Sequence, residues 1–326
     1  MVAATVVAAP TVEAVRVIEW GADGQHSPSV ITGVAVSADG GTIAAASDDH
    51  VVRIWNAATG QLRTQLAGHH DWVRTVAFSP DRQTLASGSN DHTVCLWNTA
   101  TGEQMFQSVG IEHAVAAVSF HPNGQQLAVV GFGDRLAIVN TSTGQLTQEL
   151  NCPSADLRAV AFSPNGERMA VAGRNGQIRL WNVMTGALER DIPTSRQRIR
   201  ALAFSPDGKR LASAGEDVMI HVLDLNSGGQ DISLPARPAK VYAAVFLNDL
   251  TLAVGGSDDR IHVWDLASRA VTKELVGHTG SVATLACDHT GTTLVSGSYD
   301  TTLRVWNLND HSTPPSVAQS SGAAAR

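Results

Sequence analysis

Large apolar side chains recur at every second position in short runs: Val76 and Phe78, Val118 and Phe120, Val160 and Phe162, Leu202 and Phe204, with Ala or Ser between them. A period of two predicts strands that bury one face, and the small residues between let neighbouring sheets approach closely. A second strand of small apolar residues follows each run, as at 85–89 and 294–298, then a third of bulky ones, as at 94–97 and 303–306. Helical periodicity is sustained nowhere.

This order of elements returns about every 42 residues. Trp55, Trp97, Trp181, Trp264 and Trp306 end the third strand of their repeats, and Val139 and Leu223 stand in register where two further copies lack the tryptophan. The chain therefore carries seven repeats. The turn after the first strand recurs too, at 37–40, 79–81, 121–124, 163–166 and 205–208, as Ser-Pro-Asp-Gly or a variant. Proline presets φ at the second turn position, and Asp, Asn or Gly tolerates the tight backbone of the next two, so these turns predict hairpins.

At these seven in-register copies the chain resembles the WD40 repeat family over nearly all of residues 12–308. The resemblance implies an all-β fold, a seven-bladed β-propeller whose four-stranded blades surround a central channel. Repeat seven has no fourth strand after Trp306, whereas residues 12–20 read as an extra strand ahead of repeat one. The ring is thus expected to close with the N-terminal strand joining the last blade, which satisfies an otherwise open edge. The expected organisation is a flexible N-terminus over 1–11, the propeller over 12–308, and a disordered Ser-, Pro-, Gly- and Ala-rich tail over 309–326.

His69, Ser87 and Asp91 in repeat two, and His278, Ser296 and Asp300 in repeat seven, are the side-chain types of a nucleophilic triad. The resemblance implies a different role: each trio, with Trp97 or Trp306, forms the hydrogen-bond tetrad that fastens the strands of a blade. The trio occurs twice, and no glycine elbow or oxyanion-hole motif accompanies it, which favours the structural role. The other repeats are incomplete. Ala45 stands at the serine position of repeat one, Val129 with Gly133 in three, Val171 with Asn175 in four, and Val254 in six, while repeat five keeps Ser213 and Asp217 but has Leu223.

The remaining chemistry is sparse. There is no phosphate-binding GxxxxGK[ST], no HExxH and no zinc spacing, and Cys95, Cys152 and Cys287 form no CxxC, so neither cofactor nor metal is expected. The cysteines read as small buried hydrophobes, which suits a reducing compartment. Residues 1–10 lack a positive n-region and no stretch has the length of a membrane span, so a cytoplasmic location is expected. A net charge of −7 argues against general affinity for nucleic acid.

In partner-binding members of the family, contact residues lie on the top face, in the loop entering the first strand and just before the tetrad Asp. Transferred by register, these positions are Val30 and Asp48 in blade one, His70, Trp72 and Asn90 in two, and Ala114 and Phe132 in three. Blade four adds Asp156 and Arg174, five Arg196, Arg198 and Glu216, six Pro238, Lys240 and Ser257, and seven Thr279, Ser281 and Tyr299. Together they predict a basic arc over blades four to six and aromatics over seven, two and three. The expected function is a noncatalytic protein-interaction scaffold taking a protein partner, such as an acidic segment with an apolar or aromatic anchor, on that face. The alternatives are a structural subunit joined through its blade sides and, with least support, a hydrolase.

Overall fold

The computed structural model describes residues 9–20, 29–108, 111–153, 156–226, 229–236 and 240–309. These residues form seven sheets in a ring, antiparallel but for one added strand, and no helix. Blade two is representative: its strands Val73–Phe78, Thr84–Ser89, Val94–Asn98 and Gln104–Gln107 run from the channel outward. The hairpin turn between the first two is held from both sides, since Ser79 Oγ accepts from Thr84 N at 2.9 Å and donates to Asp81 at 2.5 Å.

The second strand of each blade is buried on both faces, and its composition reflects that. In blade two a Cβ added at Gly88 would lie 2.4 Å from Val115 of the next blade, and in blade seven one at Gly297 would lie 2.5 Å from Ile31 of blade one. Glycine is required there for close approach, not for its dihedrals. Each hydrophobic cluster bridges neighbouring blades: Ile18, Trp20, Ile31 and Trp55 pack with Val295 and Leu303 across the closure.

The N-terminal segment expected as one strand over 12–20 is two. Strand β1, Thr11–Glu13, begins one residue before the expected domain boundary and pairs in parallel with Ala270–Val276 as a fifth strand on blade six. Strand β2, Arg16–Glu19, pairs antiparallel with Thr302–Asn307 and is the outer strand of blade seven, so the ring closes as the sequence predicts. The split falls at Ala14 and Val15, where the chain crosses between blades and Val15 N donates to Val305 O. The tail beyond Asn309 lies outside the described residues.

One irregularity recurs in all seven blades. Where the first strand pairs with the second, the register slips by one residue near the strand's start, bulging out Thr32, Arg74, Ala116, Arg158, Arg200, Tyr242 and Ala283. Strict alternation backwards from Phe78 and Val76 would put Arg74 on the buried face. The bulge shifts the phase, so Val73 is buried in its place and Arg74 is re-aimed.

Candidate functional site

The two complete tetrads are closed networks. In blade two Trp97 Nε1 donates to Ser87 Oγ at 2.8 Å, Ser87 Oγ is 2.7 Å from His69 Nε2, and His69 Nδ1 is 3.0 Å from Asp91. An indole N–H can only donate, so the serine proton goes to Nε2 and Nδ1–H faces the carboxylate. The histidine is therefore neutral, and its pKa is lowered because burial outweighs the pull of Asp91. Burial alone would raise Asp91, but bonds from Thr93 and from the His70 and His69 N–H groups hold its carboxyl down to about 2. Blade seven repeats the geometry with Trp306, Ser296, His278 and Asp300 at 2.9, 2.7 and 2.8 Å, and Thr302 takes the place of Thr93. The threonines are members of the network that the sequence reading missed. Ser87 and Ser296 are both 0% exposed, with each hydroxyl donating to a histidine and accepting from a tryptophan, so neither is open to a substrate as a nucleophile.

In the three broken tetrads that keep the carboxylate, the residue two before the tryptophan position takes it over. In blade one Arg53 Nη1 donates to Asp49 at 2.7 Å, in blade six His262 pairs with Asp258 at 3.0 Å, and in blade five His221 pairs with Asp217 at 3.2 Å. Trp20, at the end of β2, supplies what blade one lacks: its Nε1 donates to Asp49 at 3.0 Å and Arg53 lies 4.3 Å over its ring. In blades four and six Val171 and Val254 stand at the serine position, and Trp181 and Trp264, which pair with Met169 and Leu252 across the hairpin, have Nε1 atoms buried without a partner, as is Ser213 Oγ.

The loop positions transferred by register are brought together blade by blade. The backbone N–H of Asp48, Asn90, Phe132, Arg174, Glu216, Ser257 and Tyr299 donates respectively to the carbonyl of Val30, Trp72, Ala114, Asp156, Arg198, Lys240 and Ser281. Both loop sets thus share one end of the ring. Pro238 lies outside the described residues. At the centre of this end a cavity of about 160 Å³ is lined by all seven bulged residues together with Tyr299. Its charge comes from Arg74, Arg158 and Arg200, none of which the sequence reading named. The signal was there, in the residue after the first apolar position of each repeat.

Aromatic rings and carboxylates fix these arginines. Phe132 contacts two of them, with Arg158 at 3.9 Å and Arg74 at 5.1 Å from its centroid, and the Trp72 centroid is 5.6 Å from Arg74. Arg200 lies 5.5 Å over Tyr242, which in turn packs 6.4 Å from Tyr299. Arg74 Nε donates to Asn90 at 2.5 Å. Arg198, expected as part of a basic arc, is an internal strut: it binds Asp156 at 2.8 Å and Glu216 at 3.0 Å, and Glu216 also takes Arg200 at 2.6 Å. Asp156 also lies 2.5 Å from Arg158 Nε. The arc at Arg198 is thereby neutralised, and the positive charge sits nearer the channel. Arg196 is set apart, exposed beside a separate cavity with Ser195, Asp217 and His221. His70, Arg174 and Lys240 are exposed on the rim, and Trp72 and Tyr299 are 45% and 52% exposed.

The cysteines take no part. Burial pushes the Cys95, Cys152 and Cys287 thiols up to about 12, 11 and 12, so none offers a thiolate at neutral pH. Among the described residues no three His, Cys, Asp or Glu side chains are grouped to hold a metal.

Seven four-stranded blades, a ring closed by the N-terminus and buried Asp-His-Ser-Trp networks define a WD40-type β-propeller. The family model described as IFT122 first beta-propeller matches residues 30–265, and that of the WD domain, G-beta repeat, matches residues 269–307. The first spans well over half of the chain, which therefore belongs to the family of the IFT122 first beta-propeller, among the WD-repeat propellers. Relatives match over short stretches. A U3 snoRNP-associated protein-like EMB2271 of Arabidopsis thaliana is 47% identical over 17% of this chain and 12% of its own length. The B-type cell cycle switch protein ccs52B of Medicago truncatula is 36% identical over 23% of this chain and 16% of its own. The NACHT domain- and WD repeat-containing protein 1 of Mus musculus is 39% identical over 19% of this chain and 4% of its own. The matched segments are thus a small part of each relative. Propellers of this family generally serve as protein-interaction scaffolds and are generally non-catalytic.

Proposed function

We propose that this propeller is a noncatalytic docking platform whose top face, around the channel mouth, takes an acidic segment of a partner protein bearing an apolar or aromatic anchor. The observation that carries the reading is the convergence of Arg74, Arg158 and Arg200 on one cavity, beside the exposed rings of Trp72 and Tyr299. Arg, Trp and Tyr dominate interface energies when a partner desolvates them. His70, Asn90, Phe132, Arg174, Lys240 and, farther out, Arg196 form the surrounding surface. Arg198 shapes the site by holding Asp156 and Glu216 rather than by meeting the partner.

The test is capture of partners from the source cell's lysate by the wild type and by a variant carrying Trp72→Ala, Arg74→Glu and Lys240→Glu, after both show the same melting temperature. Arg198 is left intact because its replacement would break its bonds to both Asp156 and Glu216. A partner lost with the variant supports the reading, and an unchanged set of partners sinks it. The second reading, a structural subunit docked through blade sides, draws on Leu62, Met105 and Leu188, exposed on the outermost strands of blades one, two and four.

A further inference from the structure

We propose that the channel mouth binds a dianionic phosphomonoester carried on the docking segment, gripped by Arg74, Arg158 and Arg200. This rests on the top-face reading above and names the group that reading leaves open.

The charge count is the first argument. Arg74, Arg158 and Arg200 line the mouth, Arg198 is joined to Arg158 and Arg200 through Asp156 and Glu216, and among the described residues only those two carboxylates are within ion-pair distance of the four. Two positive charges are left over, matching a phosphomonoester above its second pKa of about 6. A single carboxylate would leave one unmatched.

The second argument is the donor geometry. Arg74 has both terminal nitrogens without a protein acceptor among the described residues, as does Arg158, and Arg200 has Nη1 free after binding Glu216 through Nε and Nη2. These donors come from blades two, four and five, hence from separate directions around one cavity. A phosphate presents three oxygens to such a ring, whereas a carboxylate presents two in one plane and is satisfied by a single fork. Arg74 and Arg158 also stack on the same Phe132 ring, so their guanidinium carbons lie no farther apart than the sum of 5.1 and 3.9 Å. Both cations are thus anchored to one ring, and an anion within reach of both is attracted by each.

Size and supply complete the case. At ~30 Å³ per water, the cavity of about 160 Å³ has room for a phosphate group with a few waters. Tyr242 and Tyr299 also line it, and a phenol hydroxyl can donate a hydrogen bond. The exposed Trp72 beside Arg74 gives the flanking peptide an anchor that free phosphate cannot use.

The experiment is an NMR titration of the full chain with acetyl-Glu-phosphoserine-Leu-amide, its glutamate twin acetyl-Glu-Glu-Leu-amide, and inorganic phosphate, at constant ionic strength. At about pH 7.5 the phosphopeptide is expected to bind about tenfold or more tighter than either other probe, and to weaken as much at about pH 5, where the phosphate is a monoanion. Arg74→Gln is expected to cost about tenfold in affinity without lowering the melting temperature, because Arg74 holds no carboxylate. Arg158→Lys keeps the charge and loses the fork, and is expected to weaken the phosphopeptide alone. Equal binding of the glutamate twin overturns the phosphate assignment and leaves the acidic-segment reading standing. Binding of inorganic phosphate as tight as the phosphopeptide overturns the peptide-borne source. Wild-type affinity in Arg74→Gln overturns the assignment to the channel mouth. No binding of any probe at millimolar concentration overturns this proposal and the acidic-segment reading together.

Discussion

Replacing Ser87 by Ala removes one buried oxygen and orphans two buried groups. Ser87 Oγ accepts the Trp97 indole N–H at 2.8 Å and is 2.7 Å from His69 Nε2, and no water can replace it at 0% exposure. A buried polar group left without its partner costs about 1–3 kcal/mol. Two such groups would sum to about 2–6 kcal/mol, and because they share one network and alanine fits the space as Ala45 does in blade one, the joint loss is about 2–4 kcal/mol. At roughly 2 °C per kcal/mol for a domain of this size, the melting temperature should fall by about 4–8 °C. The control is Ser213→Ala in blade five, the same substitution at the equivalent position. Ser213 is 1% exposed, but its hydroxyl has no partner, because Leu223 and Ser195 stand where tryptophan and histidine would be. Its removal should change stability by no more than about 0.5 kcal/mol, or raise it. Urea unfolding and thermal melts followed by near-ultraviolet circular dichroism read both variants. Equal losses would refute the reasoning, for they would mean that the serine is valued for its size and not for its bonds.

Trp20→Ala should cost about 3–5 kcal/mol, because it opens a cavity at the closure and removes the indole N–H from Asp49 and the ring from beneath Arg53; an unchanged melt would contradict closure through β2. Acid should destabilise the fold in two stages. His69, whose folded pKa lies below its unfolded value of about 6.5, opposes folding increasingly as pH falls below that value. Asp91, lowered to about 2, contributes stability that is present above its unfolded pKa of about 4 and lost as pH falls toward 2. A pH series of urea midpoints checks this, and His69→Gln should flatten the upper stage; a flat profile from pH 7 down to about 4 would contradict it. A serine-reactive fluorophosphonate should label neither Ser87 nor Ser296 in the native protein, and mass spectrometry finding either labelled would reopen the hydrolase reading.

The ring was legible in the sequence because repetition makes each assignment seven times over. Trp97 and Trp306, and the hairpin turns led by Ser79 and Ser205, need only local spacing to be seen. The pairing of loop positions, such as Asn90 with Trp72, comes from register alone. The channel lining was hidden for a physical reason: a bulge is a relation between two strands, and alternation read along one strand places Arg74, Arg158 and Arg200 on the wrong face. The neutralisation of Arg198 was hidden because Asp156 and Glu216 reach it from neighbouring loops. Trp20 was read as the end of a strand, and nothing in its local sequence marks it as the bond donor that Asp49 lacks.

Hydrogen exchange on the propeller, alone and with a captured partner bound, tests the central claim most directly. Slowed exchange is expected at the top-face amides of Asn90, Phe132, Arg174 and Tyr299 and at the bulged residues Arg74, Arg158 and Arg200, with the outer strands unchanged. Slowing confined to outer strands such as Leu62–Ala67 and Leu188–Pro193, with those top-face amides exchanging as in the free protein, would contradict the account and place docking on the blade sides.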